Sequence, residues 1–225
     1  MREEERRSFA AKAKLDVDSF VPHDLLEGPP SLRQVRSFDA LMVGGSGDYY
    51  VSKENLPSFP ALLDLLREVV EAGHPTFASC FGFQLLVKAL DGEIVHDPEH
   101  IEVGTYELTL TDAGVEDPLF GSLPPTFRAQ IGRKDRAGRL PPETINLASS
   151  MRCPFHALRI PDKPVWATQF HPELDREENR ARFLNYLEGY GGFMTAEERR
   201  QTLERFDESP ETQELIPRFL RLIGK

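Results

Sequence analysis

Apolar positions along the chain fall into two periods. Short apolar runs that end at glycine or turn residues predict buried strands, and runs with apolar residues three and four apart predict helices. Arg2 to Lys14 holds strong helix formers without a breaker, which predicts a helix. Leu15 to Val21 alternates, Leu15 and Val17 against Asp16 and Asp18, which predicts a strand. Asp39 to Val43 is a buried-strand run entering the glycine loop Gly44-Gly45-Ser46-Gly47-Asp48. Phe59 to Glu71 carries Leu62, Leu63, Leu65, Leu66, Val69 and Val70 at helical spacing. Pro75 to Ser79 predicts another buried strand, and Phe81 to Leu90 resumes helical spacing at once. Glu102 to Thr111 alternates, and turn residues recur through Pro161, so the middle of the chain reads as short, partly antiparallel strands. Val165 to Phe170 is a buried strand running into His171-Pro172-Glu173. Arg176 to Leu187 is a helix with Phe183, Leu184 and Leu187 on one face. After Gly191-Gly192, Thr195 and Glu198 form a capping box, and helix continues to Leu222. Strands alternating with helices predict an α/β fold: three layers, a mainly parallel sheet with helices on both faces.

Composition narrows the class. The 225 residues are 40% hydrophobic and 28% charged, enough apolar material for a packed core. A formal charge of −10 without a basic block argues against nucleic acid as a partner. No apolar run is long enough to span a membrane, and Met1-Arg2-Glu3-Glu4-Glu5 is not a secretory leader. Two cysteines, Cys80 and Cys153, cannot build a disulfide framework and point to a reducing, cytoplasmic setting.

Candidate chemistry lies in three loops that follow three of the predicted buried strands. They carry Gly44-Gly45, Cys80 and His171-Pro172-Glu173. Sites in open α/β sheets form at the carboxyl ends of strands, so these loops are expected to meet. Cys80 stands between a strand and a helix, the setting of a nucleophile elbow, with Gly82 expected to permit the tight turn. Partial positive charge at a helix N-terminus stabilises a thiolate. Taken alone, Cys80 reads equally well as a small buried hydrophobe. A nearby imidazole can take a thiol proton and return it to a leaving amine, and a carboxylate on the far ring nitrogen orients the imidazole. The joint occurrence of elbow and His-Pro-Glu favours chemistry.

These residues carry a family resemblance. Ala78-Ser79-Cys80-Phe81-Gly82-Phe83-Gln84 resembles the G-x-C-x-G-x-Q elbow of class I, triad-type glutamine amidotransferases. Gln169-Phe170-His171-Pro172-Glu173 matches that family's Q-F-H-P-E motif, and Val43-Gly44-Gly45-Ser46 looks like its oxyanion loop. Leu123-Pro124 through Ser149-Ser150 is similar to the corresponding stretch in stand-alone relatives of the GMP synthase glutaminase domain. The resemblance implies a flavodoxin-like fold and a Cys80–His171–Glu173 triad. It further implies an oxyanion hole from the N–H groups of Gly45 and Phe81, and substrate contacts at Gln84 and Gly44. The implied reaction cleaves the glutamine side-chain amide through a glutamyl thioester and releases ammonia to a separate acceptor or synthetase subunit. No cofactor or metal is implied. Two other readings share these residues: a stand-alone γ-glutamyl hydrolase or peptidase on small γ-glutamyl compounds, and a catalytically silent binding or regulatory relative.

The chain also departs from the pattern. Ala78 replaces the elbow's first glycine, which implies slight crowding under the turn. In Ile131-Gly132-Arg133-Lys134-Asp135, expected to be a loop, Arg133 stands where relatives often have His. It is open at this level whether Arg133 and Lys134 face a substrate carboxylate or solvent. The family's first buried strand has no counterpart before the helix at Arg2, so the natural start is expected upstream of Met1. Residues 1–190 are expected to form the catalytic domain and 191–225 a helical extension. His96 and His100 flank Pro98, which breaks the helical spacing a paired metal site would need, so a solvated loop is expected. Cys153, near His156, reads as a core thiol.

Overall fold

A computed structural model describes residues 2–186 and 194–225. Leu187, Gly191, Gly192 and the expected boundary between 190 and 191 lie outside the described residues. Helix α1 (Arg2–Ala13) leads through α2 (Leu32–Val35) to β1 (Leu41–Val43), α3 (Phe59–Glu71), β2 (Thr76–Ser79) and α4 (Phe81–Ala89). Then come β3 (Glu93–His96), β4 (Glu102–Leu110), α5 (Asp112–Val115), β5 (Thr126–Arg133), β6 (Asp135–Arg139), β7 (Ile145–Ser149), β8 (Ala157–Ile160) and β9 (Val165–Thr168). Helices α6 (Arg176–Asn185), α7 (Ala196–Glu204), α8 (Pro210–Gln213) and α9 (Leu215–Leu222) complete the described elements.

The main sheet has seven strands in the order β1-β2-β9-β8-β7-β4-β5, and β3 and β6 form a separate antiparallel ribbon. Strand alternation sorts side chains to opposite faces. Phe77 and Trp166 face one core, with Phe9 of α1 and Leu215, Ile216 and Phe219 of α9. Ala78, Val165 and Ala167 face the other, with Leu62, Leu63 and Leu66 of α3 and Phe83 and Leu86 of α4. The expected three-layer α/β arrangement is present, and the C-terminal α9 packs in the first of these cores. The sheet is not mainly parallel as expected: among the described residues parallel pairing is confined to β1–β2 and β2–β9, and the pairs from β9 through β5 are antiparallel. Short connections replace helical crossovers there, and antiparallel pairing needs no more than a turn. Among the described residues no helix is long and apolar enough to cross a membrane.

Two expectations fail locally. Leu15–Val21 is not a strand: a single 3-10 turn, Val17–Ser19, stands there. Leu15 and Val21 are 48% and 66% exposed, so the alternation has no core face to serve. Local bonds win instead: Asp16 accepts from the Asp18 N–H at 2.8 Å, and Arg6 Nε donates to the Val17 and Phe20 carbonyls at 3.1 and 2.8 Å. In α6, Phe183 is buried against Val103 and Phe206, but Leu184 is exposed. The Thr195–Glu198 capping box at the start of α7 forms as expected.

Candidate active site

Parallel pairing of β1, β2 and β9 puts Val43, Ala78 and Ala167 side by side, so their carboxyl ends open at one sheet edge. The Cys80 N–H donates to the Thr168 carbonyl at 2.7 Å, and the Gly82 N–H donates to the Gly44 carbonyl at 3.2 Å. These two bonds tie the three loops together. Cys80 itself adopts φ 50°, ψ −100°, a strained conformation for a residue with a Cβ, immediately before the first residue of α4. The turn's strain therefore falls on Cys80, not on Gly82. Gly82 is needed for close approach: a Cβ there would lie 2.4 Å from the Val43 carbonyl oxygen. Ala78 is fully buried, and its pairing with Val43 and Ala167 continues without a register shift.

The Cys80 sulfur lies 3.7 Å from the Gly132 carbonyl oxygen, and its charge acts on the His171 imidazole. His171 Nδ1 meets Glu173 Oε1 at 2.6 Å, and the Ser79 hydroxyl donates to the same oxygen at 3.1 Å. The His171 N–H donates to the Gln130 carbonyl at 2.8 Å, which anchors the loop beyond β9. His171 and Glu173 are buried. Burial disfavours the His171 cation, but the Cys80 sulfur and the Glu173 carboxylate outweigh it and raise its pKa. Glu173 is opposed by burial in the same way, yet His171 and then Arg182 hold it below the usual carboxylate range. The arrangement sets a buried carboxylate behind the imidazole of His171.

Gln84 lines the same cleft as Cys80, as expected of a residue one helical turn on. Its Nε2 donates to the Asp135 carbonyl at 3.0 Å and to Gln169 Oε1 at 3.2 Å. The N–H of Phe81, first in α4, has no acceptor inside the helix. Gly45 lies against the imidazole, since a Cβ there would approach His171 Cε1 to 2.9 Å. Its N–H, however, donates to Glu5 Oε1 at 2.8 Å. Glu5 reaches in from α1, and its other oxygen pairs with Arg182 Nη2 at 2.6 Å. Burial, reinforced by Glu173, raises the Glu5 pKa against the pull of Arg182. Sequence reasoning missed Glu5, Arg182 and Ser79. Only the spacing of Ser79, next to Cys80, carried any local signal.

The Ile131–Asp135 stretch is not a loop: β5 runs through Arg133, and β6 begins at Asp135. The Arg133 side chain is withdrawn from solvent. It is register partner to Glu102, and its Nη2 is ion-paired with Glu102 Oε2, both side chains fully buried. His156 Nε2 stands 3.8 Å from the same carboxylate, and burial together with the Arg133 charge pulls its pKa down to about 3, which keeps it neutral. Breaking a buried pair leaves a charge without a partner. Arg133→Met is therefore expected to cost about 3–5 kcal/mol in urea unfolding, and the double change Arg133→Met with Glu102→Leu to recover most of it. Additive losses in the double variant would show that the pair is not the reason.

Cys153 is buried, its thiol donating to the Phe155 carbonyl at 3.4 Å, and burial pushes its pKa up. His96 pairs with Asp135 and His100 with Asp97, each at 2.8 Å. Among the described residues no three His, Cys, Asp or Glu side chains converge as a metal site.

Residues 31–187 match the model of the class-I glutamine amidotransferase family, and the chain belongs to that family. It is 28% identical over 162 residues to the glutamine-hydrolysing GMP synthase of Agathobacter rectalis, covering 72% of this chain and 29% of that protein. It is 29% identical over 145 residues to the corresponding enzyme of Streptococcus pneumoniae, covering 64% and 26%. The chain thus spans less than a third of these relatives. A glutamine amidotransferase structure from Thermotoga maritima superposes with a TM-score of 0.76 at 17% identity, over 97% of this chain and 91% of that one. That likeness establishes the fold.

Proposed function

We propose that the protein hydrolyses the side-chain amide of glutamine through Cys80, with His171 as base and then acid and Glu173 as its orienting carboxylate. The observation that carries this reading is the His171–Glu173 contact at 2.6 Å beside a cysteine held in a strained strand–helix turn. The sulfur attacks the amide carbon, and the carbonyl π pair becomes an oxyanion facing the N–H groups of Gly45 and Phe81. His171 gives its proton to the amide nitrogen, the C–N bond breaks, and ammonia leaves a glutamyl thioester. Water then attacks the thioester, losing a proton to His171. Collapse of the adduct releases glutamate and the thiolate, and restores the imidazolium. Gln84, tied to Asp135 and Gln169, shapes the wall where substrate lies, while Gly44 packs against Glu5 and accepts the Gly82 N–H through its carbonyl. Delivery of the ammonia to a separate synthetase in a soluble, cytoplasmic setting extends this reading from the GMP synthase relatives.

The test incubates the protein with glutamine and a panel of γ-glutamyl compounds, following ammonia and glutamate, alongside labelling by a glutamine-analogue electrophile. Glutamine turnover with label on Cys80 supports the proposal. Turnover confined to γ-glutamyl compounds would transfer the same triad to a hydrolase. Absence of both turnover and label would leave a silent binding relative.

Use of Gly45 requires Glu5 to give up its hydrogen bond. Glu5→Gln keeps the shape and weakens the hydrogen bond that competes with the oxyanion. The expected result is a rise of about tenfold in the pre-steady-state rate of ammonia release, the worth of weakening one charge-assisted hydrogen bond. An unchanged rate would mean that the Gly45 N–H does not serve the reaction.

A further inference from the structure

We propose that Ser79 is a positioning residue of the triad: its hydroxyl holds Glu173 Oε1 against His171 Nδ1 and keeps the proton between them on the imidazole. The inference rests on the proposed glutaminase reading and adds a residue to its machinery. Ser79 is the last residue of β2, fully buried, and in parallel register with Thr168 of β9. Its β2 neighbours Phe77 and Ala78 are apolar and face the two cores. A hydroxyl buried at such a place needs a partner. Ser79 Oγ finds it far along the chain, donating to Glu173 Oε1 at 3.1 Å. The same oxygen meets His171 Nδ1 at 2.6 Å. The Thr168 hydroxyl donates to the Phe170 carbonyl at 2.8 Å. Two paired strand residues thus hold the loop on either side of His171, one at the Phe170 backbone and the other at the Glu173 carboxylate.

The direction of the Ser79 bond decides its effect. Glu173 is held below the usual carboxylate range, and an ionised carboxylate only accepts, so the hydroxyl donates. A donor on a carboxylate oxygen favours the charged form and weakens that oxygen's pull on a proton. Without it, Oε1 would compete harder with Nδ1 for the proton between them. An imidazole that takes the thiol proton and passes it to the leaving nitrogen works through its other ring nitrogen, and Nδ1 has to stay protonated meanwhile. Arg182 acts on Glu173 through its charge, but its Nη2 is paired with Glu5 at 2.6 Å and fixes no proton on the Glu173 oxygen. Ser79 does not line the cleft that Cys80 opens into, so its effect reaches the reaction through Glu173.

Ser79→Ala removes the hydroxyl and little else. In the full chain kcat for glutamine is expected to fall about tenfold, the worth of a hydrogen bond to a charged group, with KM unchanged. Activity in acid should be lost at a higher pH than in the unchanged enzyme, because a carboxylate without its donor is easier to protonate. Ser79→Thr, which restores the hydroxyl, should recover most of kcat and the original profile. The triad can also be read without turnover. In proton NMR the Nδ1–H of His171, assigned by its loss in His171→Asn, should stand far downfield through its bond to Glu173. On acidification that displacement should vanish at a higher pH in Ser79→Ala. An unchanged kcat together with an unchanged NMR titration would overturn the proposal. So would a fall in turnover that matches a loss of folded protein in urea unfolding while neither pH dependence moves. A moved NMR titration in a chain that never releases ammonia would sink the glutaminase reading and leave the hold of Ser79 on Glu173 standing.

Discussion

Replacing Cys80 with alanine is expected to lower glutamine hydrolysis by about 10⁴-fold or more, to the level that binding alone sustains. The size follows from the chemistry: without sulfur there is no thioester, and water must attack an unactivated amide. In the proposed mechanism His171 and Glu173 cannot compensate, because their roles there depend on the Cys80 sulfur. Electrophile labelling should vanish with turnover, while Cys153, buried and with its thiol pKa raised, stays unlabelled. The same position allows the strain to be measured. Cys80→Gly and Cys80→Ala both remove the sulfur, but only glycine is at ease at φ 50°. Glycine normally destabilises relative to alanine; here Cys80→Gly is expected to be the more stable by about 1 kcal/mol in urea unfolding. Retained turnover in Cys80→Ala would end the proposed mechanism. A less stable glycine variant would mean that the turn is unstrained.

Glu173→Gln is expected to lower turnover by about 10²- to 10⁴-fold, since an amide no longer favours the imidazolium and can hold the wrong tautomer. Stability should respond with pH in two directions. His171 has a folded pKa raised above its unfolded value, so its contribution is full below the unfolded value and is lost as pH rises through the raised one. Glu173 has a lowered pKa, so its contribution is present above the unfolded carboxylate range and is lost as pH falls through the folded value. The pair therefore stabilises most between those limits. Melting temperatures of the two proteins should differ most in that interval and converge toward strong acid and strong base. A constant difference across pH would show that Glu173 acts through packing alone.

Much of the site's location was legible along the chain. An apolar run followed at once by Cys80 and helical spacing demands a turn at the cysteine, because strand and helix dihedrals must change within one residue. A run ending in His171-Pro172-Glu173 likewise has to leave the sheet there. Such signals are carried by near neighbours, and the strand pairing that brings the loops together follows from burying those runs. The Leu15–Val21 alternation misled because a strand needs a partner edge and a core face. Its own residues report neither, while Asp16 and Arg6 offered closer bonds.

The sequence by itself determined the alternating α/β character, the strand–helix turn at Cys80 and the chain order of glycine loop, cysteine and histidine. Dihedral preference and hydrophobic periodicity are local, so they can be read before the fold is known. Tertiary structure alone decided that Glu5 would sit on the Gly45 N–H, that Arg133 would turn inward to Glu102, and that its neighbour Lys134 would face the cleft. Successive side chains at a strand end point to opposite faces, and which face meets the cleft depends on pairing with β4 and β3, distant in sequence. A charge's role is set by the partner it meets there, and that partner is a property of register, not of spacing.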